Sequence, residues 1–375
     1  MIKGTYIYYQ DGKEIARSSN VITKFGKRFL TNTIAGNVSN LKKDIAVGID
    51  YISATENDTK LGFEFYRVPV FFGSSDIQTV EGASTYSAIF KTSIPQDVEG
   101  HINEIGLYPS TRSSINNFDS KFLTDFSSYL DWTDEDLFKA DFSTDNPRIG
   151  NNLVVMQSDG SASNEYFYNI SPIDLSGYST NDTLRLAYNK LDANLSSIKI
   201  RLYSSPTQYF QYQISAPSSL GHTITSDIPM SLIFSGASVS APDKSSINKI
   251  GITITPSGSS TTYVGFDGLR INDEDTFDPF FGLISRSVVI NSTSISGTSG
   301  QNTITVGSIN NLFVGQPVSG TGIASGALIS SILNNTVTLS KNNTATVSGS
   351  GSFYGIKKIA GRSLDIEYKL DLDWN

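Results

Sequence analysis

Ser363-Leu364-Asp365-Ile366-Glu367-Tyr368-Lys369-Leu370-Asp371-Leu372-Asp373-Trp374 stands at the end of the chain. From Leu364 every second residue is apolar, and the residues between are polar and nearly all charged. Side chains alternate across a strand, so this pattern predicts a half-buried antiparallel strand with one face on a core. At about 3.3 Å per residue it would run some 35–40 Å. The stretch before it has no use for such a strand, because Lys341 is the only charged residue between Arg286 and Lys357. We therefore expect the strand to return to the start of the chain and close a fold around what lies between.

Working outward, residues 1–112 read as a mixture of strands and short helices. Tyr6–Tyr9, Asp11-Gly12 and Glu14–Arg17 form a hairpin pattern, since Asp-Gly supplies the positive φ angles of a tight turn. Phe25, Phe29, Leu30 and Ile34 fall at helical spacing, with Gly36 as the stop. Glu64 and Arg67 lie three apart in a segment that can be helical, where they would meet. From 113 to 280 the helical signal ends and short strands recur between turn clusters, as in a sandwich. Ile198, Ile200 and Leu202 alternate with Lys199, Arg201 and Tyr203. Phe210, Tyr212 and Ile214 alternate with Tyr209, Gln211 and Gln213. The fold expected is mainly β and multidomain. It has an α+β N-terminal domain (1–112), a jelly-roll β-sandwich (113–280), a small Ser/Thr/Gly-rich β module (281–355) and a C-terminal strand (356–375) that closes the first domain.

Composition excludes several classes of function. The 375 residues include no cysteine and two histidines, which removes thiolate zinc sites, cysteine nucleophiles and most triad chemistry. A net charge of -8 without a basic run argues against a nucleic-acid partner. No apolar run approaches a membrane helix, and the opening residues have no signal-peptide core, so neither membrane insertion nor signal-directed secretion is expected. Only 17% of residues are charged, so Ser, Thr, Asn and Gly must cover the surface, as in many fibrous β proteins.

An ordered series of short motifs then stands out: Asn20-Val21-Ile22-Thr23 with Gly26-Lys27-Arg28, Ile45-Ala46-Val47-Gly48, Leu61 to Arg67, Phe90-Lys91-Thr92, and Glu104-Ile105-Gly106-Leu107-Tyr108. The series resembles the N-terminal domain of virion structural proteins of tailed bacteriophages, of the tail-fibre and baseplate-associated type found also in cyanophages. Residues 302–353, around Val314-Gly315-Gln316-Pro317-Val318-Ser319-Gly320-Thr321-Gly322-Ile323, resemble a small β module of phage fibres and bacterial surface proteins. Asp174-Leu175-Ser176 and Gly265-Phe266-Asp267-Gly268-Leu269-Arg270-Ile271 give the middle domain the look of a jelly-roll carbohydrate-binding module. The resemblance implies a phage-particle protein without enzymatic activity. It would be a tail-fibre or baseplate adhesin that anchors by its N-terminal domain, contacts other virion proteins, forms homo-oligomers and presents a glycan-binding sandwich to the host. A capsid decoration or head-fibre protein and a polysaccharide-degrading tailspike are the alternatives.

Individual residues sharpen these expectations. Lys199, Arg201, Tyr203, Tyr209 and Gln211 share the non-core face of a hairpin, where tyrosine rings can stack on pyranoses and polar groups can bond hydroxyls. Leu364, Ile366, Tyr368, Leu370, Leu372 and Trp374 are assigned to assembly of the closing strand, and Glu64 with Arg67 to anchoring as a docking pair, weighed against an ion pair within the domain that positions the loop. Glu104, set among Ile102, Ile105 and Leu107, reads as a satisfied buried carboxylate and not an acid catalyst. No cofactor is expected apart from a structural calcium, for which Asp267 and Asp275 are weighed against a plain solvated linker.

Overall fold

The computed structural model describes residues 2–36, 43–70, 77–81, 85–109, 122–134, 141–143, 146–160, 163–178, 182–238, 241–272 and 282–373. The chain forms two compact units, one of residues 121–274 and one of residues 1–120 with 275–375. Both are built almost wholly from antiparallel strands.

In the discontinuous unit, the C-terminal strand Leu364–Asp373 occupies the centre of a five-stranded sheet. It lies between Ile2–Gln10 and Thr85–Ile94, with Lys13–Ser19 and Ile77–Glu81 at the two edges. Tyr368 stands opposite Tyr6 on one side and Phe90 on the other, with ring centroids 4.6 and 5.9 Å away. Leu364, Ile366 and Tyr368 are buried; full burial of a side chain of this size stabilises by roughly 1.5–3 kcal/mol. The phenols do not go unpaired: Tyr6 meets Ser285 Oγ at 2.8 Å, and Asn20 Nδ2 donates to Tyr368 Oη at 2.9 Å. Leu370 is half-buried, Leu372 pairs with Ile2, and Trp374 lies outside the described residues.

A second sheet of the same unit orders Val21–Ile22, Ser285–Val288, Glu104–Pro109, Lys43–Gly48 and Glu64–Pro69. Helix Lys24–Ile34 starts where Thr23 Oγ1 accepts from the Gly26 amide, the cap expected of threonine. Gly26 is glycine for a second reason. A Cβ there would stand 2.0 Å from the Ile284 carbonyl oxygen, so only glycine lets the helix approach the backbone just before strand Ser285–Val288.

The segment holding Glu64 and Arg67 is a strand, not a helix. Its pairing slips between Val47 and Gly48, so that Gly48 faces Glu64 while Val47 faces Tyr66. That bulge inserts Phe65 and brings residues three apart onto one face, which strict alternation forbids. Strands Ile290–Ser296, Thr303–Val306, Pro317–Ser319, Ala327–Leu333, Thr336–Leu339 and Ser350–Tyr354 close into a small barrel. Its core is Ile295, Ile304, Val306, Val318, Ile329, Val337, Leu339 and Phe353.

Residues 121–274 form a two-sheet antiparallel sandwich. One sheet runs Trp132–Asp134, Asn164–Ile173, Ile247–Pro256, Leu195–Ser205, Gln208–Ser215. The other is built on Asp141–Ser143, Leu153–Ser158, Thr262–Asn272, Thr183–Lys190 and Gly221–Ile224. Ile198, Ile200, Leu202, Ile250, Ile252 and Ile254 share one core with Val154, Leu184, Leu186, Val264 and Phe266. A short helix, Met230–Ser235, departs from the all-strand expectation here; it buries Met230 and Ile233 and ends at Gly236. No helix among the described residues is long and apolar enough to cross a membrane.

Candidate functional site

The outward face of the sandwich's five-stranded sheet collects the polar halves of four alternating strands. Register places Tyr203 between Lys249 and Tyr209, Arg201 between Gly251 and Gln211, and Lys199 between Thr253 and Gln213. Beyond them, Phe167 faces Gly251 and Glu165 faces Thr253. The five residues singled out from the sequence are therefore neighbours, joined by Glu165, Phe167, Lys249 and Gly251, which were not singled out. Only Phe167, between Tyr166 and Tyr168, alternates with aromatic neighbours; Glu165 is flanked by Asn164 and Tyr166, and Lys249 by Asn248 and Ile250. What the sequence does not display is which strands are adjacent.

At the centre, Arg201 is ion-paired with Glu165, and Tyr203 Oη donates to the other oxygen of that carboxylate at 2.8 Å. Arg201 Nε donates to Gln211 Oε1 at 3.3 Å, and the guanidinium lies over the Tyr209 ring, 4.6 Å from its centroid. Lys249 Nζ stands 4.2 Å from the Tyr203 centroid and 4.3 Å from that of Phe167. Burial pushes the Tyr203 phenol well above its ordinary range, with Arg201 opposing and the Glu165 acceptor adding to the rise.

Tyr203 is not the open stacking ring the sequence suggests, because it is only 3% exposed. The cause lies on the neighbouring strand. A Cβ at Gly251 would stand 2.8 Å from Tyr203 Cε2 and 2.4 Å from Glu165 Oε1, so the missing side chain gives ring and carboxylate the room to lie across it. Lys249 then covers the ring. Tyr209, Gln211, Arg201 and Lys199 stay partly accessible.

The remaining candidates lie elsewhere. Asp267 is buried, and its oxygens accept from the amides of Arg148 at 2.7 Å and Ile149 at 3.1 Å, with His222 Nε2 at 3.2 Å. It ties the backbone together in that place, and Asp275 lies outside the described residues. Among the described residues no three acidic or histidine side chains gather to hold a metal.

Glu64 receives Arg67 in a two-pronged pair at 2.7 Å for both bonds, and the guanidinium lies 4.1 Å from the Tyr108 centroid. Glu104 has no exposure and accepts from the amides of Phe63 at 2.8 Å, Gly62 at 2.9 Å and Asp50 at 3.3 Å. Arg286 Nε donates to it at 3.0 Å. Burial pushes its carboxyl up while Arg286 pulls it down. Such a group is a structural knot, as its sequence setting implies.

No protein-family model matches the sequence, and no curated protein matches it. Solved structures match over the length of about one unit. A family 11 carbohydrate-binding module from Clostridium thermocellum, in complex with a mixed-linked tetrasaccharide, is 15% identical over 40% of this chain and 94% of its own, with a TM-score of 0.30. An exo-β-agarase gives 16% identity, 41% and 24% coverage and a TM-score of 0.31. The enzymatically active domain of tailspike protein 4 of bacteriophage CBA120 gives 10%, 40%, 21% and 0.28. The chain thus matches about a quarter of the agarase and a fifth of the tailspike domain. At these scores the likenesses carry no weight for function.

Proposed function

We propose that this chain is a structural component of a tailed-phage particle, a tail-fibre or baseplate adhesin whose sandwich binds host-surface glycans without cleaving them. The observation that supports it best is the polar face of the five-stranded sheet. There Arg201, Gln211, Tyr209, Lys199 and Lys249 offer donors and ring edges in one contiguous, partly accessible patch on a rigid sheet. Glycosidic hydrolysis calls for two carboxyl groups about 5–10 Å apart. Glu165 is the single carboxylate on this face among the described residues, and Arg201 and Tyr203 engage it. The discontinuous unit would be the virion anchor, in contact with other virion proteins and with further copies of the chain.

Two experiments test the reading. A glycan array probed with the purified chain should give sugar-dependent signal that fails on replacing Arg201 and Gln211 by alanine, without release of reducing sugar. Immunogold microscopy of particles should label the tail tip. Label over the head would make the chain a decoration protein, sugar release would make it a tailspike, and no label would remove the virion assignment.

A further inference from the structure

The glycan-binding face is built to hold cations. Lys249 is seated between the rings of Phe167 and Tyr203, and Arg201 over that of Tyr209. An aromatic face attracts a cation without neutralising it, fixing the charge in place while its outer side remains available. Glu165, the one carboxylate of the face among the described residues, is engaged by Arg201 and by the Tyr203 hydroxyl. Neither Lys199 nor Lys249 has a carboxylate within ion-pair distance among the described residues. Among the described residues the face therefore carries three cations against one anion, in a chain whose net charge is -8.

The same contacts withdraw the surfaces a neutral sugar would stack on. Tyr203 is covered, and one side of Tyr209 and of Phe167 faces a cation. Lys199 and Arg201 point outward two residues apart on one strand, a step of roughly 7 Å, and Lys249 lies opposite Tyr203 one step further along. The positive groups thus follow the strand direction as a short row.

We propose that the ligand of this face is an acidic polysaccharide, one with carboxylates repeating along its chain, recognised by charge pairing with Lys199, Lys249 and the free edge of Arg201. The proposal rests on the glycan-binding reading above and narrows it to uronate-bearing polymers.

The test uses the full chain with polygalacturonate and with the same polymer after chemical reduction of its carboxyl groups to alcohols. Binding is followed by interferometry at 50 and 300 mM salt. The acidic polymer should bind at least tenfold more tightly than the reduced one and weaken with salt. Lys199→Gln with Lys249→Gln should remove that preference at an unchanged melting temperature. Should the double variant melt early, Lys199→Gln alone, at a residue with no ion pair or ring contact among the described residues, should still cost severalfold. Equal affinity for the two polymers overturns the acidic-ligand proposal and leaves glycan binding standing. No binding to either polymer or to any sugar on the array overturns both. Equal binding to single-stranded DNA makes the face a general polyanion surface and also overturns the proposal.

Discussion

Each unit of this chain holds a glutamate–arginine pair, and the two pairs have opposite surroundings. Glu104 and Arg286 are sealed inside the discontinuous unit, where three backbone amides also feed the carboxylate and Asp58 Oδ2 accepts from Arg286 Nη1 at 2.8 Å. Burial draws the guanidinium down, but Glu104 and Asp58 more than offset it and hold its proton firmly. Glu165 and Arg201 lie on a sheet face, each partly open to water, with Lys199 and Lys249 at adjacent register positions. The same two residue types thus lock a buried network in one place and stand on a partly open sheet face in the other. The difference is how many of the pair's bonds are made by the chain itself, and how many are left over.

The largest effect in this contrast comes from removing the strand that completes the first unit. A chain ending at Ser363 should lose the cooperative unfolding of residues 1–120 with 275–363, while the sandwich melts as before. Two calorimetric transitions in the intact chain and one in the truncated chain would check this. Next, Arg286→Ala leaves Glu104 buried without its cation, and loss of one partner of such a pair costs about 3–5 kcal/mol. Denaturant unfolding should show that loss in one unit only.

Lys43 gives a third measurement. Its ammonium is buried beside the rings of Phe29 and Phe90, and burial draws it down to about 8. Unfolded, it titrates near 10.4. Between those values the unfolded chain holds a proton that the folded chain has lost, so stability rises with pH across that window. The full cost is present below pH 8. The rise is up to about 3 kcal/mol, since one pKa unit is worth about 1.4 kcal/mol. Lys43→Met should flatten it, and unfolding at pH 7.5 and 9.5 would decide. Arg201→Ala, by contrast, should cost at most about 1 kcal/mol of stability, as expected of a partly exposed pair, while losing polysaccharide binding at least tenfold. A large stability loss there would erase the distinction between the two pairs.

The closing strand was legible because its alternation runs unbroken from Leu364 and because nothing adjacent in sequence could use it. The buried state of Glu104 was legible for a similar reason, its three apolar neighbours. Two readings failed where information sat on another strand. Glu64 and Arg67 mimic helical spacing because one inserted residue, Phe65, changes their parity, and that insertion exists only relative to Lys43–Gly48. The clean alternation of its own strand points Tyr203 outward, as if to an exposed position. What buries it is a glycine and a lysine at Gly251 and Lys249, whose adjacency depends on pairing between strands some 45 residues apart. Periodicity reports which way a side chain points, and register reports what it meets.

The central position of Leu364–Asp373 also sets a timetable. Its two partner strands are synthesised early, and roughly 350 residues separate Gln10 from Leu364. At about 5–20 residues per second, some 20–70 s pass before the edge at Gln10 can be joined, and about 15–55 s for the edge at Ile94. The sandwich, whose strands all lie between 121 and 274, can complete its core in that interval. The first sheet waits with two open edges on the ribosome, where another nascent copy could claim them.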